Sequence, residues 1–310
     1  MDTSEQVQIP EEDFELPQEM TAELTQQRRS QGRIIFDRFV RNRVATIGAV
    51  FLIILVICCL FIPLIPGHDS PNAVGQTTPF AGVSWQYPFG ADNLGRDTFA
   101  RAMIGGRISL LVALSSMLIS ILLGTLIGAL AGYYGGWIDN ILMRLTDTIL
   151  TIPLYLLLFV LSATFADGTP TSVIFLIAIF GWTTSARLVR GEFLALKQRE
   201  FVQAAATIGA RGSRLMFYHI LPNAAGPIIV NATLLVGSNI ILESVLSFFG
   251  FGVSIPIASW GSMINQGRDY FDSSPLLILI PGILIFLTVL SCNLVGDGLR
   301  DALDPHMTER

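Results

Sequence analysis

The side chains able to do chemistry in this 310-residue chain are few and scattered. His68, His219 and His306 lie far apart, and no HExxH or CxxC spacing offers a metal or redox site. No GxxxxGK[ST] loop is present to cradle a phosphate. The residues compose no catalytic constellation, so the chain reads as no enzyme, with no cofactor or metal of its own. Two groups stand out instead. The first is a polar series in an apolar run: Asn231, Thr233, Ser238, Asn239 and Glu243. Such groups in hydrocarbon need partners, so they face protein or water. Two readings stay open for them, a translocation path and hydrogen bonding between helices. Asn231, Ser238 and Asn239 recur about two turns apart on one side of a helix. Glu243 closes the run where a carboxylate would meet water at the outer surface, and Asp147 is spaced to pair with Arg144 three residues back. The second group is the stretch REFVQAAATIGARGSRLMFYHILPN, residues 199–223. Its Arg199, Glu200, Arg211, Arg214 and His219 exclude it from hydrocarbon.

The elements that must position these groups are membrane helices. The chain is 52% apolar and only 14% charged, with a positive mean hydropathy, which excludes an ordinary soluble domain. Uncharged runs at about 44–66, 108–131, 148–166, 172–188, 224–242 and 275–295 each approach the roughly 20 residues that a helix needs to cross a bilayer. The expected fold is all-α with six transmembrane helices. The third run is the weakest, because Asp147 and Pro153 interrupt it. Fourteen Lys and Arg fall in the N-terminal segment, in residues 187–214 and at the C-terminus, against four (Arg96, Arg101, Arg107, Arg268) in the intervening segments on the other side. The bias of cationic loops toward the cytoplasm puts both termini inside and makes the protein a multi-pass one of a cytoplasmic membrane, in contact with lipid and not with nucleic acid. Residues 1–34 form a separate segment whose first 23 positions carry eight acids and no Lys or Arg, a composition that reads as a solvated tail. Residues 35–310 form the membrane domain. Cys58, Cys59 and Cys292 sit in apolar runs and read as small hydrophobes. Gly124, Gly128 and Gly132 recur every fourth residue, a stripe that admits close approach of another helix. Arg96 and Asp97 are neighbours able to pair locally.

The polar stretch is read as a compact knob within residues 191–223. Phe201, Ala204, Ala205 and Ile208 recur at helical spacing. Gly209 permits a sharp turn at positive φ, and a second helical piece runs from Ser213, an N-cap candidate, to His219, limited by Pro222. The shallow alanine side suits a partner's groove, and an amphipathic interfacial helix is the other reading.

Ala204-Ala205, Gly209 four residues on, and Leu221-Pro222 at the end resemble the EAA loop of ABC-importer permeases. Gln203 stands where that pattern has Glu, and His219 where it has Ile. The blocks FGADNLGRDTFARAMIGGRISL (89–110), ARLVRGEFLALKQREF (186–201), LESVLSFFGFG (242–252), ASWGSMI (258–264) and GDGLRDALDP (296–305) resemble the second membrane subunit of oligopeptide and dipeptide importers. The resemblance covers about residues 35–305. It implies the type I ABC importer permease fold in a bacterial or archaeal cytoplasmic (inner) membrane. Implied partners are a homologous permease, two ATP-binding subunits carrying ATP and Mg, an extracytoplasmic solute-binding protein and a peptide substrate, with nickel, glutathione or another small solute as the alternative. It implies that Glu200, Gln203, Ala204, Ala205, Gly209, Ala210, Leu221 and Pro222 couple the permease to the ATPase. Asn231, Ser238, Asn239 and Glu243 are the candidates for the translocation path.

Overall fold

The computed structural model describes residues 31–62, 65 and 72–303; the acidic stretch of the first 23 residues lies outside them. The described residues are mostly helical, and the only strand-like feature among them is an isolated bridge between Ala91 and Asp97. The elements in order are α1 (Gln31–Arg41), α2 (Arg43–Phe61), α3 (Thr98–Tyr134), α4 (Gly136–Thr151), α5 (Leu154–Phe165), α6 (Pro170–Lys197), α7 (Glu200–Thr207), α8 (Gly212–Phe248), α9 (Trp260–Gly267) and α10 (Leu276–Leu303). Five of these, α2, α3, α6, α8 and α10, are long and apolar enough to cross a membrane alone.

Helices α4 and α5 meet at a bend of 86°. Pro153 has no N–H to offer the helix and pushes Ile152, the residue before it, into the extended region at ψ 130. Packing shows that the bent pair makes one crossing. Gly124 lies on Ser185, Gly128 on Val189 and Gly132 on Phe193, so α3 and α6 run parallel in constant register. Two parallel neighbours need an odd number of crossings between them, and α4 with α5 supplies it. The chain ends agree, because Asn42 before α2 donates to Asp301 in α10 (3.4 Å), which puts both at one end of the bundle. An even total of six crossings follows.

Close approach through glycine holds the centre together. A Cβ at Gly124, Gly128 or Gly132 would sit 2.5–2.6 Å from atoms of α6, including the Ala186 carbonyl oxygen. The stripe is therefore a packing seam. Helix α8 lies antiparallel to α10, where Gly237 and Gly296 make the closest approaches, and α2 packs on α10 through Gly48 and Gly298.

Several helices outrun their apolar stretches. Helix α3 starts at Thr98, ten residues before the uncharged run, because the Asp97 carboxylate accepts from Phe99 N (2.9 Å) and caps it. Its 37 residues span about 55 Å, well beyond a hydrocarbon core of about 30 Å. Arg96 does not pair with Asp97. It binds Asp92 at 2.6 Å, and Gln266 accepts from both Arg96 and Arg101 (3.1 Å each). These buried bonds fasten the 72–97 segment to α9 at the end of the bundle opposite the chain ends.

The seam gives a direct test. Gly128→Leu should disrupt the α3–α6 contact, at a cost of about 1–3 kcal/mol or more from overpacking against backbone that cannot yield. Gly191→Ala, on α6 with open space around it, is the control. Thermal unfolding of the detergent-purified protein should show a lowered midpoint for the first and little change for the second.

Candidate functional site

The knob is one packed unit. Helix α7 ends in a hydrogen-bond pattern in which Gly209 N donates to Ala206 O (3.0 Å) and Ala210 N donates to Ala205 O (3.1 Å). This is the Schellman motif, with Gly209 in the left-handed position at φ +89 and Ala210 following it. The motif brings Ala210 back against Ala205, and both pack in the cluster beneath the knob. The spacing of Ala205, Gly209 and Ala210 is thus the spacing of a helix stop. The Gln203 amide makes a separate tie, its Nε2 donating to Gln198 O (3.2 Å) and holding α7 to the end of α6. An ionised glutamate has no proton to make that bond.

The knob seats on the ends of the parallel pair. Val202, Ala205, Leu215, Met216, Ile220 and Ala224 pack with Ala129 of α3 and with Val189 and Phe193 of α6. Lys197 Nζ donates to Tyr133 O (2.6 Å), and Gly212 lets the Tyr133 ring lie against the chain.

Two expectations for the knob are corrected. The second helical piece starts at Gly212 without a side-chain cap from Ser213, and Pro222 does not end it. Residues Leu215–Ile220 form a π turn, in which Leu221 N donates to Met216 O, and the helix continues through Pro222 to Phe248. The wider turn shifts the hydrogen-bond ladder ahead of a residue that has no N–H to give. The apolar face is also divided differently. Val202 and Ala205 point inward, whereas Phe201, Ala204 and Ile208 face out, Ile208 at 87% exposure. Phe217 and Tyr218 are also exposed, as are the charged Glu200, Arg211 and Arg214 of the knob. Leu221 is half-buried against the cluster and Pro222 is exposed.

The polar series on α8 is used between helices. Asn231 Nδ2 donates to Ser185 Oγ on α6 (2.9 Å), and Asn239 Nδ2 donates to Ser116 Oγ on α3 (2.9 Å). Ser238 alone is exposed, its hydroxyl donating to Leu234 O (3.2 Å) within its own helix. Glu243 does not meet water. It is fully buried, accepting from Ser109 Oγ on α3 (2.8 Å) and Ser247 Oγ (2.7 Å), and has no ion-pair partner among the described residues. The network runs on: Trp260 N donates to Ser109 Oγ (3.2 Å) and Val253 N to Ser247 Oγ (3.1 Å). Trp260, fully buried, donates its indole N–H to Ala102 O (2.9 Å). One carboxyl thus joins α3, α8 and the start of α9. No sequence signal pointed to Ser109 as its partner, because it lies 134 positions away.

Asp147 pairs with Arg187 of α6 (2.5 Å) rather than with Arg144, since the bend at Pro153 carries α4 across the face of α6. Asp139 and Arg190 form a bidentate pair (2.5 and 2.6 Å).

A six-crossing helical bundle with a packed surface knob defines a multi-pass membrane protein. Residues 124–309 match the model of the binding-protein-dependent transport system inner membrane component, and residues 30–79 match that of the N-terminal transmembrane domain of oligopeptide transport permease C. The chain belongs to this family of ABC-importer permeases, which are membrane components and not themselves enzymes. It is 43% identical over 272 residues to a putative peptide permease protein of Brucella ovis, covering 87% of this chain and 89% of that one. It is 38% identical to the oligopeptide transport system permease protein OppC of Bacillus subtilis, over 87% and 88% of the two chains. It is 42% identical over 270 residues to the glutathione transport system permease protein GsiD of Shigella flexneri, over 87% and 89%.

The buried carboxyl generates a prediction. Glu243→Ala leaves the Ser109 and Ser247 hydroxyls without their acceptor, at about 1–3 kcal/mol for each buried group. Glu243→Gln keeps one acceptor oxygen in place. Thermal unfolding of the purified protein should rank wild type above Gln and Gln above Ala; equal midpoints would show the carboxyl to be dispensable for packing.

Proposed function

We propose that this chain is one of two homologous permeases in an ATP-driven importer of oligopeptides or dipeptides. The observation that carries the reading is the end-to-end similarity to permeases named for peptide and oligopeptide transport. Glutathione is the second reading, favoured by the comparable similarity to a glutathione permease. A solute-binding protein delivers the solute on the outer side, and two ATP-binding subunits hold ATP and Mg on the inner side. The distribution of arginine supports a cytoplasmic knob and cytoplasmic termini.

The knob is the coupling element of this proposal. Its exposed Phe201, Ala204, Ile208, Phe217 and Tyr218 offer an apolar surface for a groove on the ATPase, with Glu200, Arg211 and Arg214 of the knob also exposed. Seating on α3 and α6 supports transmission: a knob packed on two helix ends moves with them. Closure of the ATPase pair would then tilt the parallel helices and switch the permeases between inward- and outward-facing states. The solute shifts that equilibrium only through its different affinity for the two states. On α8, Ser238 is the residue left to face the path, the three others being bonded to helices or serines.

Reconstitution with all partners in proteoliposomes tests both halves. Wild type should take up a tripeptide on ATP addition; uptake of glutathione without tripeptide would select the second reading. Gly209→Val places a branched side chain at φ +89, at about 1–2 kcal/mol, in a spot where nothing lies within 4 Å. Within this chain, backbone strain is therefore its main effect. Uptake and solute-stimulated hydrolysis should fall together while the permease pair stays assembled. Unchanged uptake would remove the knob from the mechanism, and loss of the pair would make Gly209 structural.

A further inference from the structure

A second polar site lies away from α8, on the face shared by α4 and α6. Asp139, Asn140, Met143, Arg144, Asp147, Thr148, Thr151 and Arg190 enclose a cleft of about 360 Å³, within the range of small-ligand sites. Its depth follows from the α3–α6 register. Arg187 lies level with Leu126, inside the uncharged stretch of α3, where Leu122 and Leu126 are exposed. Yet Arg187 and Asp147 are both more than half exposed. Charged groups at this depth cannot face hydrocarbon, so the cleft opens to water or to protein.

The cleft wall carries two acids and two arginines, and one of the acids is engaged by an arginine beside the cleft. Arg190 is matched by Asp139 and Arg187 by Asp147, both at 2.5 Å. Arg144 is exposed on the cleft wall and has no ion-pair partner among the described residues. Thr148 and Thr151 turn their hydroxyls to carbonyls of α4 and leave the guanidinium clear. Guanidinium groups take carboxylates in a bidentate fork.

We propose that this cleft is a binding site for the carboxylate of the transported solute, with Arg144 as its anchor. The proposal rests on the peptide-importer reading and adds to it a residue and the chemical group recognised. Both paired arginines lie on α6, the helix that leads into the knob, so a carboxylate competing for them acts on the element that carries the coupling surface.

The experiment uses the permease pair with its ATP-binding subunits, without the solute-binding protein, in phosphatidylcholine nanodiscs without nucleotide, titrated with Ala-Ala-Ala and with its C-terminal amide. Wild type should bind the free acid more tightly. Arg144→Gln should weaken the acid about tenfold, the scale of one charge-assisted hydrogen bond, and abolish the preference over the amide. Arg144→Lys should keep part of it. Asp147→Asn releases Arg187 and should strengthen binding of the acid, an opposite sign that general damage does not give. Equal binding of acid and amide by wild type, or a preference that survives Arg144→Gln, overturns the site. So does adding phosphatidylglycerol, if it displaces Ala-Ala-Ala from wild type while Arg144→Gln transports normally, since the cleft then holds a lipid headgroup. ATP-driven uptake separates the two ideas. An importer that carries glutathione and no Ala-Ala-Ala defeats the peptide reading, and the Arg144→Gln comparison is then made with glutathione, which also bears free carboxylates. An importer that carries Ala-Ala-Ala with Arg144→Gln equal to wild type defeats the site alone.

Discussion

Backbone-to-backbone approach of α3 and α6 along three glycines is the constraint on which the rest depends. It fixes the two helices parallel and in register, and parallel neighbours force the chain between them to recross the bundle. The bend at Pro153 is how that return fits, and it swings α4 across α6 so that Asp139 and Asp147 reach Arg190 and Arg187. The same seam ends in Ala129, Val189 and Phe193, the surface on which the knob is built. In a lipid environment the hydrophobic effect gives no drive for one apolar helix to choose another, so small residues and cross-helix hydrogen bonds have to supply the specificity. The structure uses both, glycine on α3 and amide, hydroxyl and carboxyl groups on α8.

Polar groups within this bundle follow one rule. Asn231, Asn239 and Glu243 at helix interfaces are amides or a carboxyl bonded to serines, and each bonds a serine hydroxyl, on α6 or α3. Ionised groups are kept to the ends or to the α4–α6 face, where they pair. An interface group of this kind resists separation of helices, whereas a charged exposed face demands water.

Much of the plan was legible in the sequence, because the signals were local. The uncharged runs gave the number of crossings, the four-residue glycine repeat gave a close seam, and Gly209 gave the positive-φ turn. The Schellman cap explains why the alanines and the glycine of the knob keep their spacing. What could not be read was long-range or depended on backbone register. Glu243 looked like a surface carboxylate because it ends an apolar run, whereas it is buried and bonded to Ser109 of α3, far away in the chain. The division of the knob's apolar residues into a seat and an outer patch could not be read from α7 alone, since Val202 finds its partners on α3, α6 and α8. Pro222 read as a helix stop because a π turn leaves no plain signature. The pairs across α4 and α6 join residues 40 and 51 positions apart, beyond any local pattern.

The central claim is that the knob and the parallel pair form one rigid unit, and a distance between them tests it most directly. Spin labels at Thr207→Cys on the knob and Tyr134→Cys at the end of α3, both exposed positions, would be introduced after replacing Cys58, Cys59 and Cys292 by alanine. Electron–electron resonance distances would then be measured in the assembled importer with and without ATP. A rigid unit keeps that distance and its width unchanged while the distance from Thr207 to the partner permease changes. A shift or broadening of the Thr207–Tyr134 distance on adding ATP would contradict it, because the knob would then move on its own.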